Sequence, residues 1–163
     1  MTGTLTRMNL SWFVKRSSKS ASSRHTLKLV PLINILIAED DAVSAAVLQK
    51  IVGLQPENKT TVATDGAAAW ALLDDPGRSF DILFLDLNLP KLSGFEVWAR
   101  VRESSQLKSL QVVFCTASND RDTVNKAVSL GARHYLVKPC TEQNVTAKLQ
   151  QLQQLRDPKR HSI

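Results

Sequence analysis

Cysteines, aromatic residues and long apolar runs are all scarce in this chain. Only two of its 163 residues are cysteine, and 6% are aromatic. Two thiols without a CxxC pair do not make a disulfide framework, and they predict reduced cysteines in a cytoplasmic protein. The longest apolar run covers residues 67–73, whereas a transmembrane helix needs about 20 residues. We therefore expect no membrane span.

Acidic residues are missing from the first 31 positions. Those positions hold six of the 21 basic residues and none of the 15 acidic ones, so 15 of each remain in residues 32–163. The formal net charge of +6 thus belongs to a basic, Ser-rich N-terminal arm, which we predict to be disordered. A transit peptide, a weak membrane-surface contact through Trp12 and Phe13, and a later start such as Met8 remain alternatives for the arm. The neutral remainder is not expected to bind nucleic acid.

From Leu32 onward, short apolar runs alternate with stretches of helical spacing. This alternation, with strands that are almost continuously apolar, predicts an α/β fold with a doubly wound parallel sheet of five strands and helices on both faces. The first helix shows apolar helical spacing through Val43, Val47, Leu48 and Ile51, and the fourth is expected to place Val124, Ala127, Val128 and Leu130 inward. One domain would cover residues 32–155, followed by a short basic tail at 156–163. The strands are predicted at about 33–38, 60–64, 81–85, 111–115 and 134–137, and the helices at about 42–54, 66–73, 95–103, 120–130 and 142–155.

Polar residues stand where the predicted strands end. Glu39 and Asp40 follow the first strand, Asp86 the third, Thr116 the fourth and Lys138 the fifth. The carboxyl ends of parallel strands meet at one edge, and ligands bind there in open α/β sheets. The pattern therefore predicts three carboxylates, a hydroxyl and an amine at one rim.

This group of side chains suits phosphoryl chemistry assisted by a divalent cation. Clustered carboxylates repel one another unless a cation joins them, and Mg²⁺ prefers oxygen ligands. Asp86 is the candidate nucleophile for an aspartyl-phosphate, while Lys138 and Thr116 are candidates to contact phosphate oxygens. The predicted Mg²⁺ ligands are Glu39, Asp40, Asp86 and the main-chain carbonyl of Asn88.

Four short motifs carry a resemblance to a known family. They are ILIAEDD at 35–41, LDLNLP at 85–90 with a Ser-Gly pair at 93–94, CTA at 115–117 and YLVKP at 135–139. In this order, each at a strand end, they resemble the receiver domain of bacterial two-component response regulators, in its stand-alone, chemotaxis-regulator-like form. The resemblance implies a flavodoxin-like sheet with strand order 2-1-3-4-5.

The resemblance also implies a role for each rim residue. Asp86 would accept a phosphoryl group from a sensor histidine kinase or a histidine phosphotransfer protein. Glu39 and Asp40 would hold Mg²⁺, Lys138 would bind the phosphoryl group, and Thr116 and Tyr135 would form a switch. A cis bond would precede Pro139. Beyond self-phosphorylation and autodephosphorylation no enzymatic activity is expected. Because the chain ends soon after its last helix, the output would lie in an unknown downstream effector protein, engaged through the face at about 120–155.

Two other functions and several structural roles remain alternatives. A metal-dependent phosphatase with an aspartyl-phosphate usually has a second acid two residues after its nucleophile, where this chain has Asn88. A receiver that only binds partners would have lost an acid, the threonine or the lysine, and all are present. Asp41 is expected to cap the next helix. Tyr135 is also compatible with an ordinary half-buried strand residue, and the three histidines have no metal or triad spacing.

Overall fold

The computed structural model describes residues 12–14, 29–117 and 121–156. Within these ranges, no helix has both the length and the apolar character of a membrane-spanning segment. The rest of the predicted N-terminal arm lies outside the described residues, as does the tail beyond Arg156.

Two short strands lie within the predicted disordered arm. β1 (Trp12–Val14) pairs antiparallel with β2 (Leu29–Pro31). The expectation of an unstructured arm therefore differs from the structure at these two places. Both strands contain apolar and β-branched residues, which favour extended pairing even in a largely polar segment.

Five parallel strands form the main sheet, in the order β4-β3-β5-β6-β7. Counted along the chain within this sheet, the order is 2-1-3-4-5, which confirms the predicted flavodoxin-like architecture. The elements after β2 are β3 (Ile33–Ala38), α1 (Ala42–Val52), β4 (Asn58–Ala63), α2 (Gly66–Leu73), β5 (Ile82–Asp86), α3 (Gly94–Glu103), β6 (Gln111–Ala117), α4 (Arg121–Ser129), β7 (His134–Lys138) and α5 (Glu142–Arg156).

The sheet separates two apolar cores, because alternate residues of a strand point to opposite faces. In β3, Ile35 and Ile37 pack in the core that also contains buried residues of α1 and α5. Leu36, between them, packs in the core built with α2, α3 and α4. A strand with helices on both sides is apolar at almost every position, as the sequence pattern predicted, and Asn34 is the one polar residue within β3.

Side-chain caps fix where three of the helices begin. Asp41 accepts a hydrogen bond from the Ser44 N–H at 2.7 Å, and Asp65 caps α2 in the same way. Ser93 and Glu96 form a capping box at the start of α3. Since the helices follow the strands closely, these caps also set the length of the loops at the carboxyl edge of the sheet.

The buried faces of α1 and α4 differ from the prediction. Val43 and Val47 are exposed in α1, where Ala45, Leu48 and Val52 face the core instead. In α4, Ala127 is buried as predicted but Val128 is exposed. The spacing of the valines predicts an apolar face on the helix. Alanine side chains, which are short, can form the buried face instead when the helix lies close to the sheet. The choice of face is therefore made by tertiary packing.

Candidate functional site

The predicted rim residues lie along the carboxyl ends of the central strands. Glu39 follows β3, Asp86 ends β5, and Thr116 and Lys138 lie at the ends of β6 and β7. The register pairs Asp86 with Cys115 and Ala117 with Lys138 across neighbouring strands. Residues from four strands are thus brought to one end of the sheet by strand pairing alone.

Three carboxylates gather at this edge. Glu39, Asp40 and Asp86 each offer an oxygen, and these three atoms lie within 4.8 Å of one another. Glu39 and Asp86 are buried, whereas Asp40 is exposed. Mg²⁺ binds oxygen at about 2.1 Å, which places opposite ligands of one ion about 4.2 Å apart. The oxygen-only donor set and its spacing therefore fit a hard divalent cation.

Lys138 bridges the two buried carboxylates. Its Nζ lies 2.6 Å from Glu39 Oε2 and 2.5 Å from Asp86 Oδ2. Burial alone would lower the pKa of Lys138, but its hydrogen bonds to Asp86 and Glu39 outweigh that effect and raise the pKa. Burial raises the pKa of Glu39, against the opposing effect of Lys138. The ammonium group thus stays charged and offsets part of the repulsion between the carboxylates.

The second oxygen of Asp86 is held by the following loop. The Asn88 backbone N–H donates to Asp86 Oδ1 at 2.8 Å. With Lys138 on Oδ2 and Asn88 on Oδ1, the carboxylate of Asp86 is fixed in orientation from both sides. Asn88 reaches the site through its N–H, while the role predicted for its carbonyl stays a prediction.

Thr116 and Tyr135 occupy neighbouring strands near the site. Thr116 is buried, and its hydroxyl donates to the Ala117 carbonyl at 3.5 Å, a long contact for an O–H donor. Tyr135 is half exposed on β7, with Lys148 Nζ 5.9 Å from its ring centroid. The structure brings Thr116 to the rim and leaves the Tyr135 ring on the outer strand, so the predicted switch stays a prediction.

Gly94 supports the site in a way that the sequence did not reveal. Its N–H donates to the Leu87 carbonyl at 3.0 Å, which brings the start of α3 against the strand that ends in Asp86. A Cβ at position 94 would overlap the carbonyl oxygen of Asp86. In the sequence this glycine stands out only as part of the Ser-Gly pair at 93–94. The requirement for glycine arises from a tertiary contact, and the one local signal is its place after the cap residue Ser93.

The segment after β7 contains a cis peptide bond and brings Cys140 against the buried cluster that contains Cys115. The Lys138–Pro139 bond is cis, as the resemblance implied. Cys140 packs against the buried cluster that contains Cys115, and both thiols are free. Interaction with Cys140, together with burial, raises the pKa of Cys115. The 25-residue separation of the two cysteines gave no sign of this proximity.

Comparison with known proteins gives consistent results. The family model for the response regulator receiver domain matches residues 35–150. The chemotaxis protein CheY of Pseudomonas aeruginosa is 30% identical over 120 residues, which cover 74% of this chain and 95% of that protein. The two-component response regulator-like protein APRR9 of Arabidopsis thaliana is 29% identical over 132 residues, but the match spans only 27% of its length.

Solved structures show the same likeness. The bacteriophytochrome response regulator RtBRR superposes with a TM-score of 0.63 at 34% sequence identity, covering 74% of this chain and 78% of that one. The structural match therefore covers the same share of the chain as the sequence match to CheY.

Proposed function

The chain belongs to the response regulator receiver domain family of two-component signalling, and we propose that it accepts a phosphoryl group on Asp86. The phosphoryl donor is a phosphohistidine on a sensor histidine kinase or a histidine phosphotransfer protein. One observation carries the proposal: Asp86, which lies in the acidic cluster and has Lys138 on Oδ2, also has its Oδ1 held by the Asn88 N–H at 2.8 Å. An acceptor needs a held carboxylate and nearby positive charge, and Asp86 has both.

The residues around Asp86 supply positioning and charge. In the transfer, a carboxylate oxygen of Asp86 forms a bond to phosphorus while the phosphorus–nitrogen bond of the donor histidine breaks. Lys138 is already within 2.5 Å of Asp86 Oδ2 and turns to a phosphoryl oxygen as the carboxylate becomes an acyl phosphate. The Asn88 N–H keeps the carboxylate oriented. A Mg²⁺ ion held by Glu39, Asp40 and Asp86 would neutralise charge on the transferred group.

Thr116 and Tyr135 carry the response in this proposal. Among the described residues, the hydroxyl of Thr116 has only a long contact with the Ala117 carbonyl, so it loses little by turning to a phosphoryl oxygen. The space it leaves would be filled by the ring of Tyr135, which is half exposed on β7. The face formed by α4, β7 and α5 changes accordingly, and a downstream effector protein binds there. Such a switch is a two-state element biased by a local charge.

The phosphatase alternative is less well supported by the geometry. Asn88 stands two residues after Asp86, has no carboxyl group, and donates its backbone N–H to Asp86 rather than presenting an acid to a leaving group. We therefore propose a signalling role with no substrate other than the phosphoryl donor. A cytoplasmic location belongs to the same proposal, because both thiols are free, which suits a reducing compartment.

Incubation with acetyl phosphate and Mg²⁺, followed by intact-mass measurement, tests the acceptor. We expect the mass to rise by one phosphoryl group in the wild type, and no rise in Asp86→Asn or when EDTA replaces Mg²⁺. Asp75→Asn is the matched control, since it removes an exposed acid that pairs with Arg78 outside the site. A mass increase that survives in Asp86→Asn contradicts the proposal. Phosphotransfer profiling against sensor kinases would then identify the donor.

A further inference from the structure

A groove lies at the end of the sheet opposite the acidic cluster. It has a volume of about 850 Å³ and is lined where β6 and β7 begin, at Gln111 and His134. Gln111 and Thr116 are five positions apart in β6, which corresponds to about 17 Å at 3.3 Å per residue. Because of this distance, the groove is separate from the phosphorylation site. The volume of the groove falls in the range of about 300–1,000 Å³ typical of small-molecule sites.

The charged side chains that line the groove are basic. Arg102, Lys108 and Arg133 line it, and none of its lining residues in the described part of the chain is acidic. Residues 32–163 carry equal numbers of basic and acidic residues, so this cluster is a local excess of positive charge in a neutral domain. Arg102 donates one N–H to the Leu130 carbonyl at 3.1 Å. This contact holds the guanidinium in place and leaves its other donors available.

The groove is also lined by apolar side chains and by two buried polar atoms that have no hydrogen-bond partner among the described residues. Trp98, Leu110 and Val112 contribute the apolar part, and Trp98 is held by its own hydrogen bond to the Leu130 carbonyl. Gln111 Oε1 and His134 Nδ1 are buried and have no hydrogen-bond partner among the described residues. Buried polar atoms are normally paired, and Gln111 Oε1 can only accept. An acceptor beside a cationic cluster indicates a ligand that carries N–H donors as well as negative charge.

We propose that this groove binds a nucleotide, with its phosphates on Arg102, Lys108 and Arg133 and its base against Trp98 and Gln111. A guanidinium group can donate two parallel N–H hydrogen bonds to a phosphate, and the ammonium group of Lys108 adds a mobile positive charge. The apolar wall covers one face of the base, and the Gln111 side chain, whose Oε1 is buried without a partner in the part of the chain that the structure describes, turns to accept a hydrogen bond from the amino group of the base.

Isothermal titration calorimetry of the full chain, in EDTA and at low ionic strength, tests the proposal with ATP, inorganic pyrophosphate and adenosine. We expect ATP to bind with one-to-one stoichiometry and more tightly than pyrophosphate. The double variant Lys108→Gln, Arg133→Gln should weaken ATP binding by about tenfold or more, because it removes two charged hydrogen bonds to phosphate from exposed positions. Both side chains are exposed, so folding is not expected to change.

The matched control is Lys50→Gln, Lys59→Gln, which removes the same charge from exposed positions on α1 and the edge strand β4. This control and Asp86→Asn should bind ATP as the wild type does. The proposal is overturned if ATP does not bind, or if the control weakens binding as much as the groove variant. Equal affinities for pyrophosphate and ATP would overturn the assignment of a nucleotide.

Discussion

Replacing Lys138 with methionine removes the ammonium group that bridges Glu39 and Asp86. The side chain of Lys138 is 24% exposed, and those of Glu39 and Asp86 only 5% and 9%. Methionine has a similar length and fills the same space without charge. The two carboxylates would then face each other, beside Asp40, without their nearest cation.

The structure sets the size of the effect. Removing one partner of a buried ion pair costs about 3–5 kcal/mol, whereas an exposed pair contributes about 0–1 kcal/mol. Because Lys138 retains some contact with solvent, we expect a loss near the lower limit, about 3 kcal/mol at neutral pH in EDTA. For a chain of this size, that loss lowers the melting temperature by roughly 6–12 °C.

Lys91→Met is the matched control for this prediction. Lys91 Nζ lies 2.6 Å from Asp65 Oδ2, as close as Lys138 is to Glu39, but the Lys91 side chain is 67% exposed. The control should cost at most about 1 kcal/mol. Urea denaturation of both variants and the wild type measures the difference. Equal stabilities for Lys138→Met and the wild type would refute the argument that this lysine offsets carboxylate repulsion.

The pH dependence gives a second test of the same argument. The folded-state pKa of Lys138 is raised, so its stabilisation is fully present below the unfolded-state value of 10.5 and is lost as pH rises through the folded value. The pKa of Glu39 is also raised in the folded protein, so its effect lowers stability as pH rises above 4.5. Without Lys138, which lowers the pKa of Glu39, this carboxyl should hold its proton to higher pH. The deficit of Lys138→Met should therefore shrink as the pH is lowered toward 4.5.

Three further predictions concern single residues around the site. Gly94→Ala should reduce stability by about 1–3 kcal/mol in urea denaturation and slow phosphorylation by acetyl phosphate, because the added Cβ overlaps the Asp86 carbonyl oxygen. An unchanged stability together with an unchanged phosphorylation rate would contradict this prediction. The stability of the wild type should decline as pH rises above 4.5, and Glu39→Gln should remove this decline because the glutamine amide does not titrate. If urea denaturation of Glu39→Gln shows a decline of the same size, the decline arises from a group other than Glu39. Tyr135 is the only tyrosine in the chain, and its nitration by tetranitromethane should slow when beryllofluoride and Mg²⁺ are added; an unchanged rate would exclude the proposed inward movement.

The sequence predicted the architecture because the pattern is repeated and local. Apolar runs in β3, β5, β6 and β7 each lead into a polar rim residue, whereas the edge strand β4 is largely polar. Each of the helices α1 and α2 begins after an aspartate that caps it. The rim residues Glu39, Asp86, Thr116 and Lys138 could be predicted for the same reason, since parallel strands must end at one edge.

Other features depend on contacts that no local pattern encodes. The face of α1 was predicted wrongly for Val43 and Val47, because the sheet covers Ala45 and Val52 instead. The need for glycine at position 94 comes from the carbonyl of Asp86 on a different element. The basic groove joins α3, β6, β7 and their loops, so its three cations are scattered between residues 102 and 133.

Chemical mapping of the phosphorylated position tests the central claim most directly. The protein is phosphorylated with acetyl phosphate and Mg²⁺, reduced with borohydride, which converts an aspartyl-phosphate to homoserine, and digested for peptide mass analysis. We predict homoserine at position 86 and aspartate unchanged at position 40. Homoserine at another position, with Asp86 intact, would contradict the assignment of Asp86 as the phosphoryl acceptor.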